Sequence, residues 1–369
     1  MYIFTTQCFA SRVGGTENLM TNLALSIADK HEVAVFADQH FYIQDEIFDS
    51  NNESILKTFR YSGIKFFRRH KKSKDIKKFI KENKIDGIIA DTWKSLELCI
   101  DEINSKKIQV MCLAHGNELL YKSEKRKKRI YNTLRKINNI VANSQYTGQL
   151  VNKLGINQKN IHVVNPGAKD LSSEESANSY NFPGNPILLT LARLDKRKGH
   201  EKVLYSLKKL KEDFPEIQYI IAGDGNEKNN LSNLVKKLQI QNHVHFVGNI
   251  NDKQKKEIFE KVSLMVMPTS DETLNRSIEG FGIAYIEAAM FGICSVASDI
   301  GGVKEAVIHE KTGILINPDD DLYFCLKDLL HDKKKIDRLS SHAQDRALKN
   351  FKWSRVVENY LNIFKINPY

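Results

Sequence analysis

Short apolar runs separated by helix-length segments recur along the whole chain, and they fall into two series. The first comprises Met1–Thr6, Val33–Ala37, Gly87–Ala90, Ile108–Ala114, Ile140–Ala142 and Ile161–Val164, with helical stretches such as Glu17–Asp29 and Asp75–Lys81 between them. The second comprises Ile187–Leu191, Gln218–Ala222, Val244–Val247, Leu264–Met267, Cys294–Ser298 and Gly313–Ile316. Strand-like runs alternating with helices predict parallel sheets covered by helices on both faces. Between the series lies Leu171–Pro186, where Ser172, Ser173, Ser176, Ser179, Pro183, Gly184 and Pro186 interrupt the pattern, so this stretch reads as a linker. The predicted fold class is therefore α/β, with two Rossmann-like doubly wound domains over 1–170 and 187–350. Ligands of open α/β folds bind at the carboxyl ends of the strands, so the expected site is a cleft between two such ends.

Length agrees with this division, because 369 residues exceed one ordinary domain. Cys8, Cys99, Cys112, Cys294 and Cys325 are odd in number, scattered and mostly set in apolar runs, so they read as core residues of a reducing compartment rather than disulfides or metal ligands. No apolar run approaches the roughly 18 residues that span a bilayer, and Met1–Phe4 reads as the start of a strand rather than a signal peptide; a cytoplasmic protein is expected. The formal charge of +11 is uneven. Residues 1–170 hold 28 Lys and Arg against 18 Asp and Glu, and the remaining residues 28 against 27. The surplus concentrates in Lys65–Lys84, which contains Phe66-Phe67-Arg68-Arg69-His70-Lys71-Lys72, and in Lys122–Arg129. Basic runs interleaved with Phe66, Phe67, Phe79 and Ile80 fit a helix lying on an anionic membrane, and equally a solvated lysine-rich face. Nucleic acid ranks below both, because no helix-turn-helix, zinc-finger or RNP-like pattern accompanies the charge.

The chemistry is most legible in Glu279-Gly280-Phe281-Gly282-Ile283-Ala284-Tyr285-Ile286-Glu287. Two glycines make a loop that a ligand can approach closely, and the Ile283–Phe291 segment reads as a buried helix beginning at that loop. The unpaired N–H groups and positive dipole end at Gly282, Ile283 and Ala284 suit a diphosphate. Glu279 precedes this anion site and Glu287 lies about one turn inside it. A carboxylate is a poor phosphate ligand, so both should accept hydrogen bonds from hydroxyls on either side of the diphosphate. The ligand so described is a nucleotide-sugar.

This E-x7-E spacing and its glycines resemble glycosyltransferase family 4, the group 1 retaining transferases of GT-B fold, with wording similar to the bacterial lipid- and polysaccharide-directed mannosyltransferase branch. The resemblance implies that the segment Phe351–Ile366 is a terminal helix bracing the N-terminal domain. It implies Arg193 and Lys198 as donor-phosphate cations, from Leu191-Ala192-Arg193-Leu194-Asp195-Lys196-Arg197-Lys198-Gly199-His200; Ala192 stands where the family has glycine, and Lys196 and Arg197 read as charged surface. In Gly14-Gly15-Thr16-Glu17, a glycine turn opening the first long helix, Gly15 is placed near the sugar phosphate. Gly223, in Ala222-Gly223-Asp224-Gly225, lines the base end of the donor pocket. His115, before Gly116 at a strand end, approaches the sugar or acceptor. Asp319-Asp320-Asp321 reads as a helix start rather than a metal motif, and no metal or cofactor is expected beyond the donor itself, a GDP-sugar or UDP-sugar. The implied partners are that donor, a glycan or lipid-linked acceptor and an anionic membrane surface at the inner face of the cell membrane, with no nucleic acid. Competing readings are a nucleotide-sugar epimerase of the same fold and a non-catalytic basic protein binding membrane or nucleic acid.

Overall fold

The computed structural model describes residues 1–12, 14–270, 272 and 277–366. The chain forms two compact units, Met1–Gly167 with Trp353–Tyr369, and Ala168–Lys352. The first is built on seven strands: β1 Tyr2–Thr6, β2 Val33–Asp38, β3 Leu56–Tyr61, β4 Gly87–Ala90, β5 Val110–Ala114, β6 Asn139–Ala142 and β7 Ile161–Val163. All pairings given for them are parallel, in the order β3-β2-β1-β4-β5-β6-β7. The second contains β8 Ile187–Leu191, β9 Gln218–Ala222, β10 Val244–Gly248, β11 Leu264–Met267, β12 Ser295–Ser298 and β13 Gly313–Ile316, again parallel, in the order β10-β9-β8-β11-β12-β13. Each is doubly wound, with its topological switch between the first and fourth strands of its own series, where open α/β sheets bind ligands.

Two hydrophobic clusters cover the two faces of each sheet. Ile3, Phe36, Ile88 and Cys112 belong to one cluster of the first unit, whereas Phe4, Val35, Ile89 and Met111 belong to the other. Alternate residues of one strand thus feed opposite cores, which is why these strands read as unbroken apolar runs. Leu188, Tyr219 and Val266 on one side and Leu189, Ile220 and Met265 on the other repeat the arrangement in the second unit. The helix Trp353–Ile366 belongs to the first unit, where Val356, Val357 and Tyr360 are buried with Leu19, Leu23 and Ile27.

Two features depart from the expected pattern. Leu56-Lys57-Thr58-Phe59-Arg60-Tyr61 is a strand whose interior is only half-buried, because it lies at the sheet edge; Lys57 and Arg60 break the apolar signal there. The stretch 171–186 falls inside the second unit, not between units. Its backbone is held by buried Glu257, whose carboxylate accepts the Ser179 and Tyr180 N–H groups at 2.8 and 2.7 Å and pairs with Lys261 at 2.8 Å. Burial opposes ionisation of Glu257, but these donors outweigh it and hold its pKa at about 2.

Candidate functional site

Glycine geometry locks the loops at the switch point of the second sheet. Gly199, at φ 77°, lies so close to β11 that a Cβ would stand 2.2 Å from the Pro268 carbonyl oxygen. Gly223, at φ 136°, allows the turn after β9 to press on the loop after β8; a Cβ there would stand 2.0 Å from the Ala192 carbonyl. The Ala192 and Leu194 N–H groups donate to Ala222 and Asp224 across this contact, each at 3.0 Å. The role visible for Gly223 is therefore close packing of two backbones.

On this frame Arg197 and Lys198 both reach Glu279. Arg197 Nη1 donates to Glu279 Oε2 at 2.9 Å, and Lys198 Nζ donates to the same oxygen at 2.5 Å. All three side chains are largely buried. Arg197 was expected at the surface; the short turn Lys196–Lys198 instead directs it inward, while Lys196 stays exposed. Sequence alone gave no signal for this, since three consecutive cations in a turn do not declare which one points in. Burial pushes the Glu279 carboxyl up, but the charges and hydrogen bonds of Lys198 and Arg197 outweigh it and hold the carboxyl at about 2. Lys198 is lowered from the usual lysine value, first by burial and then by the like charge of Arg197, against the pull of Glu279. Two cations on one carboxylate leave the cluster with a net positive charge in a poorly solvated place, which an arriving anion would balance.

Arg193 stands apart. Its side chain is exposed and pairs with Asp195 at 2.9 Å, so the structure does not bring it onto Glu279.

Three residues after Glu279, the helix Ile283–Met290 begins at Gly282, which is left-handed at φ 97°. A Cβ on Gly282 would meet the Tyr285 ring at 2.5 Å, and that ring is fixed by its hydroxyl donating to the Met267 carbonyl at 2.8 Å. Tyr285, Ile286, Ala288, Ala289 and Met290 are buried, whereas Ile283 and Ala284 remain partly accessible at the helix start. Among the described residues no side chain caps this start, which leaves its first N–H groups open to a ligand or solvent. Glu287, one turn along, accepts from Lys255 Nζ at 2.8 Å. Lys255 lies on the helix Asp252–Phe259, whose start is fixed by the Asn251–Gln254 capping box. Lys255 was not foreseen, because a lysine among Lys253, Lys255 and Lys256 carries no distinguishing spacing.

The remaining predicted residues belong to the first unit. His115 follows β5; its N–H donates to Glu118 Oε1 at 2.8 Å and its Nε2 lies 2.9 Å from the Asp91 carbonyl. A carbonyl can only accept, so Nε2 carries a proton, and in the neutral tautomer Nδ1 is then the acceptor nitrogen. Gly15 opens the helix Gly15–Ala28 after β1, and the space around it is open: a Cβ there would meet nothing within 4 Å. Among the described residues no group of three or more His, Cys, Asp or Glu side chains is placed to hold a metal. Asp321 accepts the Tyr323 N–H at 3.0 Å at the start of the helix Leu322–His331, and Asp320 accepts the Asn317 N–H at 2.7 Å.

Comparison with known proteins follows the same division. The family described as Glycosyltransferase Family 4 matches residues 13–169, and that described as Glycosyl transferases group 1 matches residues 172–346. A GDP-mannose-dependent alpha-(1-6)-phosphatidylinositol monomannoside mannosyltransferase of Mycolicibacterium smegmatis is 27% identical over 176 residues, 47% of this chain and 46% of that protein. An uncharacterized 41.2 kDa protein in the cps region of Klebsiella pneumoniae is 24% identical over 285 residues, 71% of this chain and 72% of that protein. The chain otherwise spans about half the length of the curated relatives it matches. Among solved structures, Anabaena Alr3699/HepE in complex with UDP and glucose superposes with a TM-score of 0.82 at 19% identity, covering 100% of both chains. That likeness shows the shared GT-B fold, two Rossmann-like doubly wound units.

Proposed function

Because the chain belongs to the group 1 glycosyltransferases of glycosyltransferase family 4, we propose that it moves a hexose from a nucleoside diphosphate, with retention of anomeric configuration, to a hydroxyl of a glycan or lipid-linked acceptor. Mannose is the sugar we favour, since one relative's name specifies GDP-mannose; UDP-linked hexoses follow, since the superposing structure holds UDP and glucose. The product belongs to bacterial surface polysaccharide or lipopolysaccharide. The protein works in the cytoplasm, peripherally on the inner face of the cell membrane.

The observation that carries this reading is the buried Arg197–Lys198–Glu279 cluster lying three residues before an uncapped helix start. In the proposed complex the diphosphate takes Lys198 and the N–H groups of Gly282, Ile283 and Ala284, and exposed Arg193 turns from Asp195 to close on it. Glu279 holds donor-sugar hydroxyls and Glu287 the ribose hydroxyls. His115 meets sugar or acceptor through Nδ1, Gly15 lies near the sugar phosphate, and Gly223 shapes the base end. The sugar–phosphate C1–O bond breaks as the acceptor oxygen bonds to C1 on the same face, and the acceptor proton passes to the departing phosphate oxygen. Negative charge grows on that phosphate in the transition state, where fixed cations count most. These cations take the place of a metal, so activity survives EDTA.

Measuring the melting temperature across GDP, UDP and their sugars tests the reading. Binding to the native state alone raises stability by about 2.7 kcal/mol at a hundredfold excess over Kd. One nucleotide series should raise the melting temperature; no response to any of them contradicts the proposal.

A further inference from the structure

The basic N-terminal half has an apolar tip that the fold leaves uncovered. Among the described residues, twelve large apolar side chains are exposed, and ten of them, Phe41 to Tyr131, lie in the first unit. Six form two short segments: Phe41, Tyr42 and Ile43 after β2, and Ile64, Phe66 and Phe67 after β3, each 50–72% exposed. The segments leave neighbouring strands at the same sheet edge and are tied together there. Gln39 N–H donates to the Tyr61 carbonyl at 2.7 Å, and Arg68 spans both, donating to the Gly63 carbonyl at 2.9 Å and pairing with Asp38 at 3.0 Å. Phe66 packs on Phe67 and His70, themselves exposed, so this cluster covers nothing in the core.

Its surroundings are cationic. The helix Lys65–Glu82 carries nine Lys and Arg against Asp75 and Glu82. Arg68, Arg69 and Lys72 are committed inward to Asp38 and Glu97, but exposed Lys65, Lys71 and Lys74 have no acidic partner among the described residues. Phe79 and Ile80, by contrast, pack into the core. In the other basic run the arginines serve the fold, Arg129 binding Glu97 at 2.7 Å and Arg126 the Leu120 and Glu118 carbonyls, while Lys122, Lys125 and Lys128 stay exposed. The exposed large apolar side chains of the helix Lys65–Glu82 are therefore confined to its first turn, while Lys71 and Lys74 carry the exposed basic face over the next two.

We propose that Phe41–Ile43 and Ile64–Phe67 form a two-pronged membrane anchor, inserting apolar tips into an anionic bilayer while Lys65, Lys71 and Lys74 meet its headgroups. Charge complementarity selects this occupant: a second copy meeting the same face would set two cationic helices against each other. Nucleic acid would use the aromatic rings, but Ile43 and Ile64 have no stacking face to offer and suit hydrocarbon instead. The anchor deepens the membrane part of the function proposed above and is independent of the donor chemistry.

The test is flotation of the full chain with vesicles of neutral phosphatidylcholine and with vesicles containing anionic phosphatidylglycerol. Wild type should float with the anionic vesicles and lose this at high salt. Both F66S/F67S and Y42S/I43S should lower its partition coefficient by roughly tenfold or more. K65Q/K71Q/K74Q should abolish the preference for anionic vesicles. A tryptophan placed as F67W should shift its emission to the blue on binding. All these residues are exposed, so circular dichroism should show unchanged folding. No flotation on anionic vesicles overturns the proposal, as does flotation unaffected by the apolar variants. It is overturned equally if wild type is a dimer that F66S/F67S dissociates, or if RNA is retained by wild type and lost with F66S/F67S while vesicles are not. Melting temperatures with nucleotides read the donor site separately, so failure there leaves the flotation result standing.

Discussion

Arg197 and Lys198 share one oxygen of Glu279, and removing any member of this trio has a different consequence. E279Q leaves two buried cations without their anion and should cost about 3–5 kcal/mol of stability in denaturant unfolding. K198A should lower kcat about 10²–10³-fold, the scale of removing one preorganised charge from a transition state. The R197Q variant discriminates a surface arginine from a working one. Arg197's like charge is one cause of the lowered Lys198 pKa, so its removal raises that pKa. Lys198 binds phosphate in its protonated form, which is lost as pH rises, so the alkaline limb of kcat/KM should move to higher pH in R197Q. An unmoved limb would return Arg197 to a purely structural role. Glu279, held at about 2 against an ordinary 4.5, contributes stability that is present above pH 4.5 and lost as pH falls toward 2; wild type should therefore lose more stability than E279Q in that window. Of this trio, Glu279 was legible from the E-x7-E spacing and Lys198 from the family resemblance. Arg197 was not, because the direction of a side chain in a turn depends on tertiary contacts.

At the scale of elements, the two glycines proposed at helix starts should behave oppositely. G282A forces a left-handed residue and drives a Cβ against the anchored Tyr285 ring, and should destabilise by about 1–3 kcal/mol in denaturant unfolding. G15A meets open space, so stability should hold or rise by about 0.4–1 kcal/mol while activity falls if a ligand uses that backbone. The interior strands were readable because both faces are buried, and edge strand β3 was not, because exposed Lys57, and Arg60 in its ion pair with Asp49, break its apolar run. Residues 171–186 read as a linker by composition; one buried acid, Glu257, instead binds that stretch into the second unit. Composition reports polarity, not the partner that satisfies it.

Over the whole molecule, two repeated sheet orders and the split of charge make the halves chemically different. The half carrying the surplus of ten positive charges also carries most of the exposed apolar side chains, whereas the near-neutral half carries the glutamates and their cations. Fold class was legible throughout because alternation is a property of the entire chain, while the donor sugar depends on a few hydroxyl contacts that no pattern encodes. The claim on which the rest depends is that Lys198, Arg197, Glu279 and the start of the helix Ile283–Met290 make a single nucleotide-sugar site. Isothermal titration of GDP and UDP against wild type and K198Q tests it most directly. The account predicts that one nucleotide binds wild type and that K198Q weakens it at least about tenfold, roughly 1.4 kcal/mol. Equal affinity for the two proteins, or no binding of either nucleotide to wild type, would contradict it.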